Sequence, residues 1–150
     1  MKSIKIYLAG PLFSLSETKF NKEFATALEE KIKAQVILPQ EGSIPFEGKE
    51  NFAELAFQFC IEEIRHCDLI LAILEGPDAD SGTCVEIGYA YAIGKPIIGI
   101  RTDLRASEDM GVNLMISKAC THMIWNKSLK TIEDLCLNII PYIKKIYPEL

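Results

Sequence analysis

The segments DLILAIL (68–74) and KPIIGI (95–100) are apolar at nearly every position rather than at every second one. A strand with one wet face alternates, so runs without alternation must be buried on both faces. That requires a parallel sheet with helices above and below it. SIKIYLAG (3–10), QVILP (35–39) and THMIW (121–125) read as further short strands, the first ending at the turn pair Gly10-Pro11. Between them the period changes. SETKFNKEFATALEEKIKA (16–34) carries Phe20, Phe24, Leu28 and Ile32 four residues apart, the stripe of an amphipathic helix, with Ser16 placed to cap it. NFAELAFQFCIEEIRHC (51–67) repeats that spacing, and KTIEDLCLNIIPYIKKIY (130–147) closes the chain as a helix that Pro141 should kink or split. PQEGSIPFEGKEN (39–51) reads as a surface loop. Strands and helices in alternation predict an α/β fold, a doubly wound parallel sheet of about five strands with helices on both faces, formed by one domain over 1–150.

Charge and cysteine content remove several functions. A net charge of −5 and a pI near 5.1 do not suit a chain that must neutralise many phosphates, so no nucleic-acid partner is expected. Five cysteines, an odd number without a CxxC pair, read as buried thiols of a reducing compartment rather than a disulfide frame or a zinc site. The apolar run at the N-terminus is too short for a signal peptide, and no segment reaches the roughly 18 apolar residues that span a bilayer. A cytoplasmic protein with no membrane partner is expected. Neither GxGxxG nor GxxxxGK[ST] occurs, nor GxSxG or HExxH, which leaves dinucleotide, triphosphate, serine-hydrolase and zinc-protease sites unsupported.

In a doubly wound sheet, ligands gather at the carboxyl ends of the strands. Gly10-Pro11-Leu12-Phe13, Gln40-Glu41-Gly42, EGPDADSGT (75–83) and RTDLR (101–105) all fall on that rim, whereas His66 and His122 do not. Arg101 and Arg105 read as solvated loop arginines. The third rim loop leads into a helix with a single charge, Glu86, between Ser81 and Gly94. Two readings compete for it. Thr83-Cys84-Val85-Glu86 has the spacing of a capping box, in which the carboxylate merely reaches back to the helix start. Alternatively Glu86 lies in the first turn, where free N–H groups and the helix dipole favour its ionised form and aim a carboxylate nucleophile at the cleft. The thin residues Gly88, Ala90, Ala92 and Gly94 would admit a neighbouring backbone or a ligand.

IYLAGPLF (6–13), CDLILAIL (67–74), DADSGTCVEIGYAYAIGKPIIGIRTD (78–103) and VNLMISKA (112–119) together resemble the nucleoside 2-deoxyribosyltransferases, in order and spacing, over nearly the whole chain. The resemblance implies transfer of 2-deoxyribose between nucleobases on a flavodoxin-like (Rossmann-like) fold, with nucleosides and free bases as partners. It implies a homo-oligomer, dimer or hexamer, with sites shared between subunits, and no cofactor or metal. Glu86 then matches the nucleophile, Tyr7 the tyrosine that orients it, and Asp68 an aspartate linked to protonation of the departing base. Asp80 matches an acid of the sugar and base pocket, and Asn113 the residue donated across the interface to the 5'-hydroxyl, with Met115 as a wall. Phe13 would stack on the base and Gln40 bond its edge. Gly10 and Glu86 would leave no room for a 2'-hydroxyl. Asp68 opens its strand, so this placement requires the helix before it to bend over the cleft. Related hydrolases cleave deoxynucleoside 5'-monophosphates with serine at the place of Asp80 and arginine in the first loop. This chain has neither, and a nucleoside sensor without turnover is the third reading.

Overall fold

The computed structural model describes residues 3–105 and 111–150. Five parallel strands, β1 (Ile4–Ala9), β2 (Ala34–Ile37), β3 (Leu69–Ile73), β4 (Ile97–Arg101) and β5 (His122–Trp125), form one sheet in the order β2-β1-β3-β4-β5. This is the flavodoxin-like order, with its reversal of direction between β1 and β3. β3 and β4 are buried at every residue, while the edge strands β2 and β5 are mostly half-buried, as their places in the sheet require.

Two layers of helix cover the sheet. On one face α1 (Leu15–Lys31) and α6 (Ile132–Ile146) bury Phe24, Leu28, Leu135, Ile139 and Ile143 against Ile6, Leu8, Leu71 and Ile100. On the other, α3 (Phe52–His66), α4 (Ser81–Ala92) and α5 (Leu114–Ala119) pack through Ile64, Ile87, Ala90 and Ile116 on Tyr7, Ala9, Ile70 and Leu74. The odd and even residues of β1 therefore serve different layers, and Tyr7 belongs to the α3–α4–α5 side.

Several local expectations change. Ser14, not Ser16, caps α1: its hydroxyl accepts from Glu17 N while Glu17 Oε2 accepts from the backbone N–H groups of Ser14 and Phe13. The capping box starts two residues earlier because Glu17, not the apolar stripe, fixes where the helix begins. The expected loop after β2 contains a short helix, α2 (Pro39–Gly42), and a 3-10 turn over Ile44–Phe46. Pro39 stands in the first turn of α2, where its missing N–H costs nothing. α6 runs unbroken through Pro141. Only Cys67 and Cys136 are fully buried, and Cys60, Cys84 and Cys120 are half-buried thiols. Among the described residues no helix is long and apolar enough to cross a membrane.

Candidate active site

α4 starts one turn earlier than the Thr83–Glu86 spacing suggests. Asp80 is its N-cap, with Oδ2 accepting from Thr83 N at 2.9 Å and from the Thr83 hydroxyl at 3.1 Å. Glu86 is thus the sixth residue of the helix. It takes no part in a capping box, and it lies beyond the first turn in which the dipole acts strongly. The position of the cap overturns the capping-box reading and the placement of Glu86 in the first turn.

Its partner instead comes from the sheet. The hydroxyl of Tyr7, a fully buried residue in the middle of β1, donates to Glu86 Oε1 at 2.5 Å. Tyr7 can reach because β1 and β3 flank the switch point and α4 follows β3 back across that face. Burial pushes the Glu86 carboxyl up to about 7, and the nearby negative charge of Asp80 adds to the rise, while the Tyr7 hydrogen bond opposes it. Desolvation disfavours the charged form more than one hydrogen bond restores it. Tyr7 itself is held far above the ordinary phenol range by burial and by the Glu86 charge, so it stays a hydrogen-bond donor.

One residue of this cluster has no precedent in the sequence reading. Cys60, on α3, places its thiol beside Tyr7 and within the field of Glu86, and burial raises its pKa. The helical stripe 51–67 marked it as ordinary core. Its spacing from Cys67 carries no motif, so only the packing of α3 on β1 identifies it.

The remaining candidates divide. Asp68 does not join the group. It precedes β3 at the amino edge of the sheet, where Oδ2 accepts from Lys5 N at 2.8 Å and its backbone carbonyl accepts from the Tyr147 hydroxyl at 2.6 Å. The helix before it does not bend over the cleft; α3 ends at His66, and Cys67 leads directly to the strand. Gln40 spends its amide on scaffolding, accepting from Asn21 Nδ2 at 3.0 Å and donating to the Thr18 carbonyl at 2.8 Å, while Asn21 also holds the Pro11 carbonyl. It braces the first rim loop rather than projecting from it. Gly10 is thin for a reason on the other face: a Cβ there would come within 3.0 Å of Ile73 Cβ. Phe13 and Met115 are 78% and 75% exposed. Asn113 caps α5, its Oδ1 accepting from Met115 N at 2.9 Å. Arg101 is no solvated loop residue but a buried one, whose guanidinium is taken up by backbone carbonyls. Arg105 pairs with Asp103.

A cavity of about 540 Å3 lies on the far side of the sheet, between α1 and α6, lined by Phe20, Ile73, Glu75, Thr131 and Leu135 among others. It contains neither Tyr7 nor Glu86. The reactive group locates the candidate site, because a carboxyl raised to about 7 by burial and bonded to a buried phenol is the arrangement that acid–base or nucleophilic chemistry uses.

A parallel sheet of order 2-1-3-4-5 with a desolvated carboxyl at its switch point defines a flavodoxin-like α/β protein built around an acid. Comparison narrows this: the chain belongs to the nucleoside 2-deoxyribosyltransferase family, whose model matches residues 6–115. An uncharacterised protein of Ureaplasma parvum serovar 3 is 33% identical over 104 residues, 64% of this chain, and the chain spans 65% of that relative's length. The 2-deoxyribosyltransferase of Bacillus psychrosaccharolyticus superposes with a TM-score of 0.69 at 25% identity, covering 87% of this chain and 89% of its own. A CMP N-glycosidase of Clostridium botulinum shares the fold, with a TM-score of 0.61 at 20% identity over 91% of this chain and 98% of its own.

Proposed function

We propose that the protein transfers 2-deoxyribose between the bases of 2'-deoxynucleosides through a covalent intermediate on Glu86. The observation that carries this reading is the Tyr7 hydroxyl at 2.5 Å from Glu86 Oε1, a geometry that fixes one carboxylate oxygen and leaves the other for the sugar. In the first step the free oxygen of ionised Glu86 bonds to C1' as the C1'–N bond breaks, and the electron pair leaves with the base. The departing base takes up a proton from water in the cleft, since Asp68 stands at the opposite edge of the sheet, bonded to Lys5 N, and Asp80 Oδ2 is taken up by the N–H and hydroxyl of Thr83. In the second step a nitrogen of the incoming base attacks C1' from the opposite face, its N–H proton passes to water and the C1'–O bond breaks to release the Glu86 carboxylate, so configuration is retained overall. The 2-deoxy sugar suits this scheme, since without an electron-withdrawing 2'-hydroxyl the oxocarbenium-like state is reached more easily. No metal is called for.

Free nucleosides fit better than monophosphates. Arg101 is occupied by carbonyls and Arg105 by Asp103, and the anionic Asp80 would repel a phosphate. Phe13 and Met115, exposed in the single chain, become the base and sugar walls once a neighbouring subunit brings its Asn113 to the 5'-hydroxyl.

Incubation with deoxyinosine and adenine is expected to yield deoxyadenosine and hypoxanthine. Free deoxyribose without base exchange would replace the proposal by hydrolysis, and tight binding without product would replace it by a sensor. A mechanism-based fluorinated deoxynucleoside should label Glu86.

A further inference from the structure

The loops that follow β3 and β4 are laced to each other by three side chains. Arg101, the last residue of β4, is 2% exposed. Its Nη1 donates to the carbonyls of Leu74 at 2.5 Å and Gly76 at 2.9 Å, and Nη2 to the carbonyl of Arg105 at 3.1 Å. Glu75 returns the grip: Oε1 accepts from the Thr102 N–H and hydroxyl, both at 2.8 Å, and Oε2 from Asp103 N at 2.8 Å. Asp103 Oδ2 accepts from Gly76 N at 2.9 Å. The returning chain presses on the guanidinium as well, since a Cβ at Gly111, whose φ is +98°, would lie 2.7 Å from Arg101 Nε.

Burying a guanidinium costs several kcal/mol unless its donors are answered, and among the described residues Nε has no partner. An apolar side chain would fill the same space without that cost. What the arginine adds is direction, because a planar fork reading three carbonyls fixes the loops that carry them in angle as well as distance. Those loops lead to particular residues. Glu75 and Gly76 precede Asp80, the cap of α4, and Gly111 precedes Asn113, the cap of α5.

We propose that Arg101, with Glu75 and Asp103, is a positioning clasp that holds Asp80 in register with Glu86. The inference rests on the function proposed above for its kinetic readout, but its electrostatic readout does not depend on turnover. The titratable groups facing Glu86 are Tyr7 from β1, Cys60 from α3 and Asp80 from the head of α4, and of these Asp80 alone sits on a clasped loop. Loosening the clasp therefore weakens the Asp80 field at Glu86.

The test is the titration of the Glu86 side-chain carboxyl by carbon NMR, with steady-state kinetics beside it, in the wild type, Arg101→Met and Glu75→Gln. Glu75→Gln is the milder change, replacing one accepting oxygen with an NH2 that cannot receive the Asp103 N–H. It serves if Arg101→Met does not fold. The expected result is a Glu86 midpoint lowered by about half a pH unit as Asp80 recedes, and kcat lowered about 100-fold in Arg101→Met and less in Glu75→Gln, with a smaller change in KM. Folded variants with a lower melting temperature but an unmoved Glu86 midpoint, and kcat within twofold of wild type, would reduce the clasp to a stabilising device and overturn the proposal. Absence of base exchange in the wild type would instead sink the proposed function, leaving the NMR titration to decide the clasp.

Discussion

Glu86 carries a burial penalty that the proposed nucleophile role would account for. A carboxyl held up to about 7 is half-neutral at neutral pH, whereas the proposed nucleophile must be ionised, so kcat/KM should fall with one proton's slope as pH drops below about 7. Tyr7→Phe removes the one interaction that favours the ionised form. Its acid limb should therefore move to higher pH, with turnover lower at every pH, and a limb that stays in place would mean that the hydroxyl does not act on the charge. The same shift predicts a stability effect of definite sign. The folded protein holds the Glu86 proton more tightly than the unfolded chain, so unfolding releases a proton between the ordinary carboxylate range and pH 7, and stability declines as pH rises through that window. Glu86→Gln keeps an acceptor for Tyr7 and escapes the decline. It should abolish base exchange yet gain about 2 kcal/mol at pH 8, after discounting for partial exposure, with the gain vanishing near pH 4 in urea melts.

At the level of elements, the head of α4 couples architecture to charge. Asp80 both accepts from Thr83 N and raises the Glu86 pKa. The two roles separate by substitution: Asp80→Asn keeps an N-cap and should leave stability nearly unchanged, whereas Asp80→Ala should cost about 1 kcal/mol. Both remove the negative charge, so in both the acid limb of kcat/KM should move to lower pH, measured with a nucleoside whose base leaves without protonation. If only the alanine variant shifts the limb, the effect is helix fraying and not charge. This element also marks where sequence reasoning stopped. The apolar runs of β3 and β4 announced a covered parallel sheet because burial on both faces leaves no other pattern, and the four-residue stripe of α1 announced its face. Ser14 and Asp80 were missed as caps because several Ser, Thr and Asp residues crowd each helix start, and which of them turns its oxygen onto the helix depends on how the loop leaves the preceding strand. Cys60 and Arg101 were missed for a related reason. Their neighbours are far apart in the chain, and neither a thiol on a helical stripe nor an arginine at a strand end signals them.

Across the whole molecule, one face remains unaccounted for in a single chain. Phe57 of α3, Val85 and Tyr91 of α4, and Leu114 and Met115 of α5 are exposed on the layer that also holds Glu86. Exposed apolar groups on adjoining helices of one layer suit an interaction surface, and an isologous dimer is the commonest way for identical chains to cover it. If a neighbour's Asn113 completes each site, the two halves of the machinery reside in different subunits and can be inactivated separately. Glu86→Gln and Asn113→Ala should each be nearly inactive alone. Mixed in equal amounts under conditions that let subunits exchange, they should regain activity, because a mixed dimer contains one site with a sound Glu86 from one chain and a sound Asn113 from the other. Random pairing into dimers restores about a quarter of all sites. Base-exchange assays before and after mixing measure this directly. Recovery near that fraction assigns Asn113 to the neighbouring subunit, and no recovery despite proven subunit exchange assigns it to the site of its own chain.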